Sequence, residues 1–323
     1  MRSVWTTSEK PLFVQAPLED VSDSVFRQML LRIGPPDIFF TEFTNVDGLV
    51  SEGSFQVGHR LDSTPGETPL IAQIWGSDEQ HYYEAAKYIA STGRFAGIDI
   101  NMGCPQKDVV KKGLCSALIN DHERAARIIA TTQKGAKDLP VSVKTRIGFR
   151  EIQTEEWIGF LLSQNLAALT IHLRTVREMS KVPAHWDEML KVVDLRDRIA
   201  PDTIIIGNGD ITTRAQALRL VSDYGCDGVM IGRGMMKYLP IFSTDDAWWA
   251  DVSYRIPYLI DHVKLFRATW EGKKPFDHVK KYIRMYLYDV PSAADMRLRL
   301  METESYEELL SEIEKIPLLS SRT

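Results

Sequence analysis

The chain has 323 residues, of which 44% are hydrophobic and 26% charged, and its formal net charge is −5. These values are typical of a folded globular protein and exclude the disordered and fibrous classes. No run approaches the roughly 20 apolar residues of a membrane helix, and the N-terminal MRSVWTTSEK lacks the apolar core of a secretory signal. The three cysteines, Cys104, Cys115 and Cys226, form no C-x-x-C pair, which argues against disulfides or structural zinc. We therefore expect a cytoplasmic protein without a membrane anchor or a metal.

Strand-like and helix-like segments alternate as far as Pro240. Apolar, β-branched runs predict eight strands, at residues 12–18, 37–43, 69–75, 97–101, 140–146, 168–174, 203–208 and 227–233. Helical patterns separate them, for example at residues 21–32, 78–91 and 123–134. Eight such units predict a closed parallel (β/α)8 TIM barrel, whereas the competing open doubly wound sheet rarely needs so many. The segments after Pro240 are helical, so we expect a catalytic barrel over residues 1–242 and a small all-helical domain over residues 243–323.

The most informative stretch, residues 97–116, reads GIDINMGCPQKDVVKKGLCS. Its apolar alternation predicts a strand that ends near Gly103. Pro105 cannot continue a strand ladder, so Cys104 is predicted to lie on a sharp turn just beyond the strand. In a parallel barrel this end of the strands carries the active site, which makes Cys104 the candidate catalytic thiol.

Polar and charged residues recur at the ends of the other predicted strands. Because alternate side chains of a strand point the same way, Lys144 and Arg146 face one direction, and so do His172 and Arg174. Two cationic pairs in one barrel mouth predict an anionic ligand. The predicted rim consists of Ala16, Pro17, Gln73, Asn101, Cys104, Lys144, Arg146, His172, Arg174, Asn208, Asp210, Gly232 and Arg233.

Two glycine turns, at residues 207–209 and 232–234, follow the last two predicted strands. Backbone N–H groups at such turns hold phosphates. Thr212 and Lys237 stand where the third glycine of G-x-G-x-x-G would be, so a Rossmann dinucleotide site is disfavoured. One phosphate, with Lys, His, Gln and Asn along the mouth, predicts flavin mononucleotide (FMN).

Positive charge is concentrated in two segments of this acidic chain. Residues 106–150 hold ten Lys or Arg against four Asp or Glu, and residues 253–300 hold ten against five. Residues 301–323 reverse the balance, with two against six. Such runs are commonly solvated helix faces, and in a protein that binds a polyanion they form its docking surface.

These motifs resemble the tRNA-dihydrouridine synthase family. The resemblance rests on APL (16–18), Gln73, DINMGCPQKDVVKKG (99–113), VSVKTRIG (141–148), IHLRT (171–175), NGD (208–210) and VMIGRG (229–234), in the family's order throughout the predicted barrel. The resemblance implies reduction of a uridine in the D-loop of tRNA to 5,6-dihydrouridine, with FMN that is recharged by NADPH. The C-terminal region is similar only in being helical and basic.

The resemblance also implies a role for each residue of the site. Cys104 would protonate the uracil C5 as the general acid, Lys144 would lie beside the flavin ring, and Asn101 and Arg146 would line the base pocket. The other implied cofactor contacts are Ala16, Pro17, Leu18, Gln73, His172, Asn208, Gly209, Asp210, Gly232 and Arg233. The cations expected to contact tRNA are Lys107, Lys111, Lys112, Arg174, Lys280, Lys281 and Arg284.

Three places depart from the family pattern: Leu18 replaces the usual methionine, Cys115 replaces a small residue, and residues 176–185 match poorly. Other classes stay open at this point. An FMN barrel that acts on a small pyrimidine or enone, such as a dihydroorotate dehydrogenase-like enzyme, would not need the basic tail. A phosphate-binding isomerase would bind no flavin, and a catalytically inactive RNA-binding module would not need Cys104. The preference for NADPH rests on the resemblance alone, and we expect a monomer because tRNA supplies a large partner surface.

Overall fold

A computed structural model describes residues 4–7, 9–52 and 54–316 of the chain. These described residues contain nine strands, which are β1 (Leu12–Gln15), β2 (Phe39–Phe40), β3 (Thr44–Asn45), β4 (Leu70–Trp75), β5 (Gly97–Met102), β6 (Val141–Arg146), β7 (Ala168–His172), β8 (Ile204–Asn208) and β9 (Gly228–Ile231). All eight predicted strands are present. The short β3 is an addition that follows the second predicted strand.

The strands form a closed parallel barrel. Their order is β1-β9-β8-β7-β6-β5-β4-β2, and β3 pairs with the C-terminal end of β4. A parallel bridge between Val14 and Ile38 joins β1 to the residue before β2 and closes the ring. Gly228 permits the close approach of β9 to β1, because a Cβ at this position would lie 2.4 Å from the Leu12 carbonyl oxygen. The predicted TIM barrel is confirmed, and the bridge between the outer strands excludes the open sheet.

Buried apolar side chains form the hydrophobic core of the barrel. Each buried Val, Leu, Ile, Phe or Met side chain contributes about 1.5–3 kcal/mol relative to an exposed one. The buried cluster includes Leu12, Val14, Ile38, Phe40, Ile71, Ala168, Ile204, Ile206 and Met230. Because both faces of the sheet are covered, the strands are nearly continuous apolar runs rather than alternating ones.

Helices connect the strands and make up the C-terminal region. Local signals explain their positions: Asp78 caps the helix that starts at Glu79 by accepting the N–H groups of Gln80 and His81. The α-helices are α1 (Val4–Thr7), α2 (Ser24–Ile33), α3 (Val46–Leu49), α4 (Ser54–Val57), α5 (Glu79–Ser91), α6 (Lys107–Lys111), α7 (His122–Ala136), α8 (Gly159–Leu162), α9 (Glu188–Ile199), α10 (Arg214–Tyr224), α11 (Arg233–Lys237), α12 (Val252–Trp270), α13 (Asp277–Lys280), α14 (Ile283–Tyr286), α15 (Ala293–Glu302) and α16 (Tyr306–Glu314). Short 3-10 helices lie at Gly58–Leu61, Cys115–Asn120, Leu239–Phe242 and Ala247–Ala250, and a π-helix at Thr154–Ile158.

Contacts divide the chain into two compact units. The first contains residues 36–232 together with the segment before Val25, and the second contains residues 25–35 together with the chain from Arg233 onward. The predicted boundary after residue 242 therefore lies later than the boundary that the contacts give. The loss of the strand pattern located the last strand correctly, but it carries no information about the unit into which the next helices pack.

The second unit also recruits a helix from early in the chain. Most of α2 belongs to it, and Phe26 stacks on Tyr282 with ring centroids 5.9 Å apart. Its amphipathic pattern predicted a buried face but not the partner of that face.

Candidate active site

The turn that carries Cys104 is held in place by side chains. The Asn101 side-chain oxygen, at the end of β5, accepts the N–H groups of Gly103 at 3.0 Å and of Cys104 at 3.1 Å. The Ser116 hydroxyl donates to the Cys104 carbonyl oxygen at 2.7 Å. The thiol is half-buried, and this burial raises the pKa of Cys104, although the N–H of Gln106 and the charge of Arg146 act in the opposite direction. The turn therefore presents a protonated thiol at a defined position.

A chain of buried polar side chains lies beneath this turn. Asn101 donates to the Gln73 side-chain oxygen at 3.3 Å, and Gln73 Nε2 donates to Asp99 at 2.7 Å. The other Asp99 oxygen accepts the Ser142 hydroxyl at 2.6 Å. Because a carboxylate only accepts, Asp99 orients the Gln73 amide, which in turn orients Asn101. These contacts link the barrel interior to the backbone of Cys104.

Sequence reasoning assigned no role to Asp99 or Ser142. Gln73, Asp99 and Ser142 are register partners on adjacent strands β4, β5 and β6, so their side chains form one row inside the barrel. Burial raises the pKa of Asp99 to about 6, while hydrogen bonds from Ser142 and Gln73 and the charge of Lys144 lower it. The signal was present, since Asp99 stands two residues before Asn101 on the same strand face. Gln73, which was predicted to contact the cofactor, is fully buried, and its side-chain oxygen accepts the hydrogen bond from Asn101.

Lys144 occupies the next row of the barrel, beside Asn101 and Thr170. Its ammonium donates to the Asn208 side-chain oxygen at 3.3 Å, and Asn208 in turn donates to the Met230 carbonyl oxygen at 2.8 Å. Burial, followed by the nearby positive charge of Arg146, lowers the pKa of Lys144 to about 8. Lys144 therefore stays mostly protonated at pH 7 and loses its proton as the pH rises through about 8.

Arg146 joins two loops of the barrel mouth. Its guanidinium donates to the carbonyl oxygens of Gly103 at 2.8 Å, Thr175 at 3.1 Å and Met179 at 2.9 Å. Burial, with the charge of Arg174 next in importance, lowers its pKa to about 10. Arg146 thus ties the turn before Cys104 to the loop after β7, and its predicted contact with a base stays a prediction.

Arg174 differs from its prediction as a cation that contacts tRNA. Its side chain is only 2% exposed, and its guanidinium donates to the Val182 carbonyl oxygen at 2.6 Å, lies 3.0 Å from His172 Nε2 and forms an ion pair with Asp210. Asp210 also accepts the N–H of Ala184 at 2.9 Å. Strand alternation placed these residues at the rim correctly, but it could not show that they bind one another. Arg174 and Asp210 therefore anchor the loop after β7.

The predicted phosphate turns lie at the ends of adjacent strands. A Cβ added at Gly232 would meet Ala16 at 3.5 Å and Leu18 at 3.7 Å, so the first and last strands of the barrel meet here. Gly209 has a φ of +144°, a conformation that favours glycine. Pro17 is buried between Ala16 and Leu18, while Arg233 is exposed and begins α11 in the second unit.

The basic residues after the turn that carries Cys104 lie on the surface. Lys107 and Lys111 are the two ends of α6, Lys112 follows it, and all three side chains are exposed. Cys115 adopts a φ of +50°, a conformation that favours glycine, and burial raises its pKa well above the usual value. Cys115 is therefore a packed thiol with little nucleophilic character.

The basic residues of the second unit are of two kinds. Lys280 is buried, and its ammonium donates to Asp277 at 2.7 Å and to the Met301 carbonyl oxygen at 3.0 Å, so it is structural rather than a docking cation. Arg284 is exposed, and Lys281 lies over the Tyr282 ring at 5.3 Å from the centroid. The sequence shows that residue 280 is a lysine in a helical segment, but not that the Lys280 side chain is buried.

Comparison with known proteins places the chain in a family. A family model described as Dihydrouridine synthase (Dus) matches residues 14–321. A Staphylococcus aureus protein named probable tRNA-dihydrouridine synthase is 40% identical over 320 residues, which cover 96% of this chain and 95% of that protein. A Bacillus subtilis protein named probable tRNA-dihydrouridine synthase 2 is 38% identical over 312 residues, which cover 94% of each. A morphinone reductase variant in complex with tetrahydroNAD aligns over 75% of this chain and 89% of its own, with 10% identity and a TM-score of 0.47.

Among the described residues, no helix is long and apolar enough to cross a membrane. The family match extends from β1 through the turn that carries Cys104 to the C-terminal helices, and the relatives align over nearly their whole length. The chain therefore belongs to the dihydrouridine synthase family and is an enzyme of the flavin-dependent oxidoreductase class.

Proposed function

We propose that the chain reduces a uridine in the D-loop of tRNA to 5,6-dihydrouridine, with bound FMN and with NADPH as the reductant. The observation that carries this proposal is the position of Cys104, whose turn is held by Asn101 at the strand ends where Lys144 and Asn208 also meet. The similarity to proteins named tRNA-dihydrouridine synthases over nearly the whole chain supports tRNA as the substrate.

The residues of the mouth fit FMN. Lys144 would supply an ammonium to the ring of a bound flavin. The hydroxyl of Thr170, its partner on β7, is buried without a hydrogen-bond partner among the described residues, and a polar group of a ligand would satisfy it. Asn208, Gly209 and Gly232 are the proposed phosphate contacts, because two glycine turns at adjacent strand ends bring N–H groups together.

Cys104 is the proposed general acid. Since its pKa is raised above the usual thiol value, the thiol keeps its proton at neutral pH and can transfer it to the uracil C5. When bound, the flavin supplies the hydride that reduces the uracil C6. Asn101 keeps the thiol in position by holding the backbone of the turn, and the carbonyl of Cys104 is fixed in the same way by Ser116.

The tRNA must present an extruded base, because a base inside the folded molecule does not reach the bottom of a barrel mouth. Extrusion costs a few kcal/mol, which contacts to phosphates offset. We assign those contacts to Lys107, Lys111 and Lys112 beside the catalytic turn, and to Lys281 and Arg284 in the second unit.

The test is the formation of dihydrouridine in unmodified tRNA with purified protein, FMN and NADPH. We expect product with the wild type and a rate lower by about 10²–10⁴ in Cys104→Ala, with flavin still bound in its visible spectrum. Cys104→Ser keeps the size of the side chain with a much weaker acid, and it should be nearly as slow. A wild type that oxidises NADPH and reduces a free pyrimidine, but no tRNA uridine, would contradict the proposal. Parallel reactions with NADH and a measurement of solution mass test the expected preference for NADPH and the expected monomer.

A further inference from the structure

A cleft lies beside the turn that carries Cys104, and of its charged lining residues only Lys107 has been assigned a contact so far. It encloses about 560 Å³ and is formed by three loops at the C-terminal ends of the strands. Pro105 and Lys107 come from the segment after β5, Phe149 and Arg150 from the loop after β6, and Val176 and Arg177 from the loop after β7. Its volume lies within the range of about 300–1,000 Å³ that is typical of small-ligand sites.

The lining combines an apolar surface with positive charge. The apolar lining includes Phe149, Val176, Val110 and Met179. The charged lining residues are Lys107, Arg150 and Arg177. Among the residues that the structure describes, no carboxylate belongs to this lining. Glu178, which follows Arg177, is instead engaged by His185 at 2.9 Å and by the N–H of Thr175. A lining that combines an aromatic side chain with cations is suited to a base and its phosphates.

The walls of the cleft are held rigidly. The N–H of Val176 donates to the Gly148 carbonyl oxygen, and the N–H of Arg177 donates to that of Phe149, both at 3.0 Å. Arg146 donates to the Met179 carbonyl oxygen at 2.9 Å. A Cβ at Gly148 would lie 2.0 Å from the Glu151 carbonyl oxygen, so the loop after β6 depends on glycine at that position. The shape of the cleft is thus built in before any ligand arrives.

The cleft begins one residue after the candidate acid, since Pro105 is part of its wall. A uridine whose C5 faces Cys104 carries its neighbouring nucleotides on either side of the sugar-phosphate chain. We propose that the cleft binds a nucleotide adjacent to the target uridine, with Phe149 stacking on the base and Arg150 and Arg177 contacting the phosphates. This inference rests on the proposed function and adds to it a second nucleotide site, which would help to hold the target base in its extruded state.

The test combines substitutions in the protein with changes in the substrate. Two tRNA substrates carry an abasic residue, one on the 5′ side and one on the 3′ side of the uridine that the wild type reduces. One of them should lower kcat/KM of the wild type by about tenfold, the size expected for the loss of base stacking. The same substrate should cause no further loss in Phe149→Ala, while Phe149→Tyr should behave like the wild type.

The cationic residues of the cleft are tested by substitutions inside the cleft and a control substitution outside it. Arg150→Ala and Arg177→Ala should lower kcat/KM for tRNA with flavin content unchanged, whereas Lys181→Ala, an exposed cation of the same loop outside the cleft, should leave kcat/KM unchanged. The inference is overturned if both abasic substrates are reduced like normal tRNA, or if they slow Phe149→Ala as much as the wild type. A wild type that reduces no tRNA uridine refutes the proposed function itself, and the inference with it. An active wild type whose rate is insensitive to these changes refutes the inference alone.

Discussion

Replacement of Asp99 by asparagine tests the charge buried beneath the turn that carries Cys104. Asp99 is fully buried, and its pKa is raised to about 6 from the usual 3.8. Because the folded-state pKa is the higher one, the stability contributed by Asp99 is complete below pH 3.8 and is lost as the pH rises to about 6. At about 1.4 kcal/mol for each pH unit between the two values, the ionised carboxylate costs about 3 kcal/mol of unfolding free energy at pH 7. About 1.4 kcal/mol of this loss falls between pH 5 and pH 7.5.

Asparagine matches aspartate in size and carries no charge. Its carbonyl oxygen can still accept the hydrogen bond from Gln73, while its amide faces the Ser142 hydroxyl, which can accept as well as donate. We therefore expect Asp99→Asn to gain about 1.4 kcal/mol in unfolding free energy relative to the wild type as the pH is raised from 5 to 7.5. Urea unfolding of the flavin-free proteins, followed by tryptophan fluorescence at several pH values, measures this difference.

A difference in unfolding free energy that stays constant over this pH range would refute the reasoning, because it would mean that Asp99 titrates alike in the folded and unfolded chain. Asp202→Asn, which removes an exposed carboxylate, is the matched control and should show no such gain. Activity supplies a second readout. The charge of Asp99 raises the pKa of Lys144, so in Asp99→Asn the pH above which turnover declines should move to a lower value.

Three further predictions concern the mouth, the closure of the barrel and the second unit. Turnover should decline as the pH rises through about 8, where Lys144 loses its proton, and Lys144→Gln should be slow with no such decline in its pH–rate profile. Gly228→Ala places a Cβ 2.4 Å from a carbonyl oxygen of β1 and should lower the unfolding free energy by about 1–3 kcal/mol. Gly58→Ala, where no described residue beyond the chain neighbours and the backbone of the same helix lies within 4 Å of the added Cβ, should not lower it. Equal stability of the two variants in urea would contradict this. Lys280→Ala removes the charged donor of the Met301 carbonyl oxygen and should lower the unfolding free energy by about 1–3 kcal/mol. Arg284→Glu should instead weaken tRNA binding and reduce its salt dependence with the melting temperature unchanged, and the opposite assignment of these two effects would show that the buried residue is the docking cation.

Much of the architecture was accessible from the sequence because it depends on local patterns. Apolar runs located the strands, and Pro105 after Cys104 located the turn. The alternation of side chains placed Lys144, Arg146 and Asn208 at one end of one barrel. These inferences need only the period of a strand and the rule that parallel strands end at a common edge.

What only the tertiary structure decided is which side chains meet. Periodicity assigns Asp99 to a face but not to its lateral partners Gln73 and Ser142, which depend on the register of three strands. It gives Arg174 and Lys280 a charge, but not the carboxylates and carbonyl oxygens that engage them. The cleft at Phe149 arises from loops far apart in the chain, and loops carry no period from which their contacts can be read. The strands, the helices and the types of side chain at the barrel mouth thus follow from local sequence. Which of these polar side chains contact one another follows from strand register and loop packing.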